Sequence, residues 1–463
     1  MIITNNSTPS VHFIGIGGTG MVAGARLAIE AGWEVRGSDN PLYPPTSDMV
    51  AALNVTVYEG YAASNLDWNP DIVVVGNAMS RGNEEVEAVL DRGLHYVSFP
   101  EWIKDAILRD RKPVVISGTH GKTTTTAITA HVLTSCGLNP GYLIGGQPLG
   151  FPHSAALGLE GCPFAIEGDE YDTAFFDKRA KFLHYLPHIA VVTSLEYDHA
   201  DIYDSIEAIE LAFQRLLRQI PSTGHLILCR DDPRVLKLRD HAFCTVHTYG
   251  TNPDCDWVLA KVENNDDLQR CTVRHNGKVW GEFSSQLFGT HNMKNCLTAI
   301  ISASLFGAST ESIQEGLASF AGIKRRLETF HTAGDTIFLD DFAHHPTALR
   351  ETIGAVRTRW PDKHITVCFE PRSNTTATNL FQDELGQCFS DADEVWIGPI
   401  FRAEKYAADE ILNREKLVQD ITASGNTQTH TANPEEIVTH LKATLGEQEI
   451  VLLCSNGAFG NIY

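Results

Sequence analysis

No apolar run in this 463-residue chain approaches the roughly 18 residues that a membrane-spanning helix requires, so no membrane partner is expected. The opening MIITNNSTPS has no basic patch followed by an apolar core, so no secretory signal is expected either. Positive charge is scarce: 36 lysines and arginines face 58 aspartates and glutamates, a net charge of −22. A surface that acidic repels phosphate backbones and argues against nucleic acid as a main partner. Closely spaced cysteine pairs are missing too. None of the ten cysteines stands in a C-x-x-C spacing, and most lie in apolar contexts such as Leu-Ile-Leu-Cys229 and Val-Leu-Leu-Cys454. Buried free thiols in a cytoplasmic protein are the expectation, rather than disulfides or zinc. Internal repeats and low-complexity tracts are absent. What remains, 43% apolar and 20% charged, is the composition of a folded globular chain, longer than one core usually supports.

The stretch that organises the chain is Val114–Cys136, VVISGTHGKTTTTAITAHVLTSC. A short β-branched run turns through Gly118-Thr119-His120-Gly121 into Lys122-Thr123-Thr124 and a helical pattern. Strand, glycine turn and helix together aim backbone N–H groups and a positive helix end at a phosphate chain. Lys122, read as an exposed loop lysine, would reach the terminal phosphates, and the Thr123 hydroxyl would bind a bridging magnesium. Only two residues separate Gly118 from Gly121-Lys122-Thr123, so the loop is tighter than the usual phosphate-binding pattern. An ordinary strand-to-helix turn is the plain alternative.

Before this stretch, Val11–Gly20 reads VHFIGIGGTG, a strand running into Gly15-x-Gly17-Gly18-x-Gly20. A second strand ends at Ser38-Asp39. That pattern fits a dinucleotide, with Asp39 on a ribose, and fits a uridine diphosphate sugar equally well. Alternating strands and helices then give a doubly wound unit over residues 1–112. After the phosphate loop, an apolar strand enters Glu167-Gly168-Asp169-Glu170-Tyr171-Asp172, either a solvated acidic loop or a metal and substrate site. The strand Ile189–Leu195 ends in Glu196-Tyr197-Asp198-His199, which puts His199 where open α/β sheets bind ligands. Asn276-Gly277 marks a hairpin and an antiparallel side element. Asn292 and Asn295 share one face of a helix, and Lys324-Arg325-Arg326 closes a central unit over 113–326. A third unit, 327–463, is again Rossmann-like. It opens with a strand into Asp341, followed by His344, His345 and Pro346, and continues through Glu370-Pro371-Arg372-Ser373-Asn374 to a helix expected at Ala377–Phe389.

Taken in order, GTHGKTTT (118–125), the acidic cluster (167–172), DHAD (198–201), HNMKN (291–295), KRR (324–326) and DDFAHHPT (340–347) resemble the Mur ligase family. These are the ATP-dependent amide ligases of peptidoglycan assembly, and the likeness spans nearly the whole chain. GIGGTGM (15–21) and DDFAHHP resemble the branch that accepts UDP-N-acetylmuramate. The stretch 167–185 and EPRSN (370–374) are similar to its peptide-adding members, which join recycled L-alanyl-γ-D-glutamyl-meso-diaminopimelate to that sugar nucleotide. Members adding L-alanine alone are the alternative.

The resemblance implies three α/β domains, with ATP and Mg2+ at the central one. It implies that Lys122 and Arg326 hold the γ-phosphate and that Thr123, Glu167 and His199 hold magnesium. Residues Gly118 to Thr124, with Asn292, Asn295 and Asp341, would hold the nucleotide. Gly15, Gly17, Gly18, Gly20, Ser38 and Asp39 would hold the sugar nucleotide, and Glu170, His344, Arg372 and Ser373 the remaining substrate. Several relatives carry a carbamylated lysine on the helix after the DH motif, whereas SIEAIELAFQRLLRQ (205–219) has no lysine. A nicotinamide-dependent oxidoreductase and a nucleotide-driven switch are the readings from other classes.

Overall fold

Short β-branched runs alternating with helices build three large open sheets, beside a two-stranded hairpin of Asp172–Ala174 and Asp177–Ala180, in the computed structural model, which describes residues 8–44, 46–198, 202–265, 267–425, 427–446 and 448–463. The first sheet is fully parallel. Its spatial order is Thr56–Glu59, Glu34–Asp39, Ser10–Ile14, Ile72–Val75 and Tyr96–Ser98. Strand order reverses beside Ser10–Ile14, so the Gly15–Gly20 turn and the helix Thr19–Glu30 lie at the topological switch point.

The central sheet has ten strands. Lys112–Ser117 pairs in parallel with Ile189–Val192 on one side and Pro163–Gly168 on the other. The loops following these three strands therefore leave the same sheet edge. Lys112 pairs with Pro163, so the strand begins one residue before the border drawn at Pro113. Trp257–Asn265, Leu268–His275 and Lys278–Ser285 extend the far side in antiparallel fashion. The Asn276-Gly277 turn joins the last two, with φ of +49° and +77°.

The third sheet runs Glu328–Ala333, Thr336–Asp341, Glu449–Cys454, His364–Phe369, Glu394–Ile397 and Gln428–Thr431, parallel except for its first strand. Helices Arg414–Ser424 and Pro434–Thr444 start at Asn413 and Asn433, whose side chains accept from the N3 amides. The helix expected over Ala377–Phe389 is different. Only a 3₁₀ turn Asn379–Phe381 and a short helix Gln382–Leu385 form there. Thr378 Oγ1 donates back to the Asn374 and Thr375 carbonyls, the local bonding by which threonines compete with helix.

One continuous apolar core runs through the first and central domains, from Val11 to Ile323. The third domain has its own, centred on Leu339, Val367, Phe369 and Leu452. Its docking onto the central domain includes polar contacts: Thr347 to Glu196, Thr375 to Asp198, and Asn264 to the Thr358 carbonyl. All ten cysteines are free and most are buried. Among the described residues no helix is long and apolar enough to cross a membrane.

Candidate active site at the phosphate loop

Gly118 and Gly121 adopt φ of +127° and +80°, which residues with a Cβ rarely tolerate. Space forbids a side chain as well: a Cβ on Gly118 would lie 2.3 Å from Thr193 Oγ1. Gly121 is the N-cap of the helix Lys122–Ser135 and offers no side chain to its first amides. Those amides and the helix end face a cavity of about 400 Å³. Its wall includes Thr119, His120, Lys122, Thr123, Thr124, Asn292, Asn295, Arg326, Asp341, His344 and Ser373. The structure thus gathers these residues from five separate stretches of sequence at one opening between the central and third domains.

Lys122 is not the exposed loop lysine expected from its position. Its Nζ donates to both Glu170 carboxylate oxygens at 2.9 Å and to the Gly118 carbonyl at 2.6 Å. Burial alone would lower the ammonium's pKa, but Glu170 and Asp169 outweigh it and hold the group above its ordinary value. Glu170 is itself buried, and Tyr203 donates to its carbonyl at 2.7 Å. Thr123 Oγ1 donates to Glu167 Oε2 at 3.2 Å, while the Gly145 amide donates to Glu167 Oε1 at 2.6 Å. Burial pushes the Glu167 carboxyl above its ordinary range, against the pull of Gly145, Lys122 and Arg326. A carboxylate and a hydroxyl side by side form an all-oxygen donor pair of the kind hard cations prefer. His199, the third expected ligand, lies outside the described residues.

Of the three basic residues at 324–326, Arg325 and Arg326 do different work. Arg325 pairs with Asp340 at 3.1 Å and donates to the Ser455 and Gly457 carbonyls, fastening the third domain. Arg326 lies over the Phe342 ring at 4.9 Å and lines the cavity. Arg325 and Leu327, on either side, both have positive φ, a strained backbone held in place by its neighbours. Asp341 does that holding: its carboxylate accepts from the Leu327 and Ala343 amides at 2.7 and 2.8 Å. Asp341 therefore anchors the interdomain joint while also lining the cavity, where it was expected to hold nucleotide. Asn295 Nδ2 donates to Asn292 Oδ1 at 3.3 Å, and Asn295 Oδ1 lies where a Cβ on Gly121 would meet it at 2.9 Å. The pair backs the loop.

In the first domain the expected site residues bond to one another and to the glycine turn. Asp39 accepts from the Gly17 amide at 2.7 Å, the Asn40 amide at 2.8 Å and Tyr61 Oη at 2.9 Å. These bonds fasten its carboxylate to the glycine turn. Ser38 is fully buried, and its carbonyl accepts from Gly15 and Ile16. Gly18 donates to the Gly15 carbonyl at 3.2 Å. The N–H groups left to face a ligand belong to the first turn of the Thr19–Glu30 helix, which includes Gly20.

On the third domain, Ser373 Oγ bonds Thr376 Oγ1 at 2.7 Å at the cavity wall. Arg372 is not part of that wall. Its guanidinium stacks on Phe401 at 3.6 Å and reaches Glu370 at 3.5 Å. His344 donates from Nδ1 to the Phe342 carbonyl at 3.0 Å, and burial lowers its pKa. Sequence reasoning passed over Glu196, His345 and Thr347. Glu196 stands at the same strand end that drew attention to His199, and Thr347 follows the proline expected to start a helix. Each was legible as a position, and only the fold shows that they meet.

Known proteins share this architecture along its full length. Family models match consecutively: "Mur ligase family, catalytic domain" over residues 10–111, "Mur ligase middle domain" over 116–303 and "Mur ligase, glutamate ligase domain" over 325–457. The UDP-N-acetylmuramate–L-alanyl-γ-D-glutamyl-meso-2,6-diaminoheptandioate ligase of Escherichia coli (strain K12) is 38% identical over 454 residues, covering 98% of this chain and 96% of that one. The protein of the same name from Haemophilus influenzae is 37% identical, covering 98% and 97%. A crystal structure of a murein peptide ligase from Psychrobacter arcticus superposes with a TM-score of 0.70 at 34% identity, covering 98% of this chain and 97% of that one. On these matches the chain belongs to the Mur ligase family.

Proposed function

We propose that this chain is an ATP-dependent ligase that joins L-alanyl-γ-D-glutamyl-meso-diaminopimelate to the lactyl carboxylate of UDP-N-acetylmuramate, as part of peptidoglycan recycling in the cytoplasm. The observation that carries the ligase chemistry is the convergence on one cavity of the phosphate loop (including Thr123, with Glu167 bonded to its hydroxyl), Arg326 and a loop from the third domain. The choice of amine rests on likeness to the ligases of Escherichia coli and Haemophilus influenzae, whose names carry that tripeptide.

A free carboxylate is a poor electrophile and needs a leaving group. One of its oxygens attacks the γ-phosphorus, breaking the bond to ADP and giving an acyl phosphate. The peptide amine then attacks the acyl carbon, loses a proton, and expels inorganic phosphate as the amide forms. Catalysis here is mainly positioning and charge neutralisation. Lys122 exchanges Glu170 for the γ-phosphate, and Arg326 approaches the transferring group from the third-domain side. Backbone amides at the start of the Lys122–Ser135 helix hold the neighbouring phosphates. Thr123 and Glu167 would supply oxygen ligands to Mg2+. With Mg2+ held there, phosphate charge would be screened.

The deciding experiment is a coupled ADP-release assay with UDP-N-acetylmuramate and ATP, offering tripeptide or L-alanine. Release that requires all three substrates and favours tripeptide supports the reading. Equal or better use of free L-alanine overturns the choice of amine, and release without any amine overturns the ligase itself.

A further inference from the structure

Glu196 lies at the carboxyl edge of the central sheet, four residues beyond the strand Ile189–Val192. Its main chain is laced to the phosphate loop. The Glu196 amide donates to Thr119 Oγ1 at 2.8 Å, the Thr119 amide to the Ser194 carbonyl at 3.1 Å, and the His120 amide to Ser194 Oγ at 2.9 Å. Its carboxylate faces both ways. His120 Nε2 lies 3.0 Å from Oε2 on the loop side, and Thr347 Oγ1 donates to the same oxygen at 2.9 Å from the third domain. His345 Nδ1 is 3.4 Å away. His345 is the N-cap of the helix Pro346–Arg359, so the carboxylate of one domain meets the positive end of a helix in the other. Two residues on, Asp198 accepts from Thr375 Oγ1 at 3.2 Å, a second tie to the third domain from the same segment.

We propose that Glu196 is a positioning residue that couples seating of the third domain to the order of the phosphate loop. The inference rests on the ligase reading and adds to it the part that senses closure. When the third domain swings away, Glu196 loses Thr347 and the helix end, and keeps only the loop's own His120. When the domain returns, Thr347 and the helix end fix the carboxylate that meets His120, so the His120 side chain directly before Gly121-Lys122 is held firmly only when Arg326 and the third-domain loops are also in place. The ligand atoms of His120, Glu196 and His345 all lie within 4.8 Å of one another, a spacing that also suits a metal ion. Hydrogen bonds from a hydroxyl and an imidazole already account for the Glu196 carboxylate, so the cluster needs no ion to explain it.

The test uses the full chain with Thr347→Val, Thr347→Ser and Glu196→Gln. Wild-type turnover is established first, because a wild type that makes no amide defeats the ligase reading and not this one. Thr347→Val keeps the shape and removes the hydroxyl. It should lower kcat about tenfold with KM for UDP-N-acetylmuramate within twofold, and Thr347→Ser should restore kcat. Small-angle scattering should show nucleotide-induced compaction in the wild type and Thr347→Ser, and reduced compaction in Thr347→Val and Glu196→Gln. The double variant Glu196→Gln/Thr347→Val should be no slower than the worse single one, since both remove one contact. Thr347→Val with wild-type kcat and compaction, or losses that multiply in the double variant, would overturn the coupling.

Discussion

A lysine that already holds a carboxylate must exchange partners before it can hold a phosphate. Lys122 and Glu170 make that exchange necessary, and it changes what a substitution should do. Lys122→Ala should lower turnover at least ~100-fold by removing a contact that strengthens as phosphate is transferred. It should also destabilise the protein, because the buried Lys122–Glu170 pair is broken, a loss of about 3–5 kcal/mol for such pairs. Lys122→Ala/Glu170→Gln should recover most of the melting temperature and none of the activity. Near-normal turnover in the single variant would remove Lys122 from the chemistry. Glu167 offers a parallel case. A non-hydrolysable ATP analogue should raise the melting temperature more with Mg2+ than with EDTA, and Glu167→Gln should erase the difference. An unchanged magnesium increment in that variant would place the ion elsewhere.

At the scale of elements, the strands and phosphate turns were legible because their signals are local. β-branched runs, glycines at fixed offsets and Asn-Gly need no distant partner to be read. Thr336–Asp341 and His364–Phe369 form where their residues indicate, and the Asn276-Gly277 hairpin does too. The segment after Ser373 was misread because its threonines look tolerable in a helix until their hydroxyls take local carbonyls. Side-chain roles are harder to read for a different reason. Asp39 carries a ribose-binding spacing, but whether it meets a ligand or its own glycine turn depends on Tyr61 and the loop's path. The first turn of the Thr19–Glu30 helix still presents an anion site suited to a diphosphate. UDP-N-acetylmuramate should therefore raise the melting temperature while NAD leaves it unchanged. Stabilisation by NAD alone would reverse the assignment. Gly17→Val cannot serve as the control, because a Cβ there would lie 2.3 Å from Leu42 Cδ2 and disturb the turn without any ligand.

For the whole molecule, the uneven distribution of apolar contacts decides which parts can move. The first and central domains share one core, whereas the third closes its own around Leu339, Val367 and Leu452. An apolar seam resists parting because exposing it costs roughly 25 cal/mol for each Å². Polar contacts such as Thr347–Glu196 exchange with water at little net loss. The joint at Arg325–Leu327, strained at both flanking residues and pinned by Asp341, is where rotation of the third domain should concentrate. Independent folding follows the same division. A fragment of residues 327–463 should unfold cooperatively by itself, and so should 1–326. A fragment of 1–112 should be markedly less stable than the same residues within 1–326, because the Thr19–Glu30 helix would lose its packing on Ala155–Ala156 and the Leu157 amide its bond to Glu30. Thermal unfolding followed by circular dichroism on the three fragments checks this division. A 1–112 fragment as stable as 1–326 would show that the core shared by the first and central domains is dispensable, and a 327–463 fragment without a cooperative transition would show that the seam between the central and third domains is structural and that closure must pivot elsewhere.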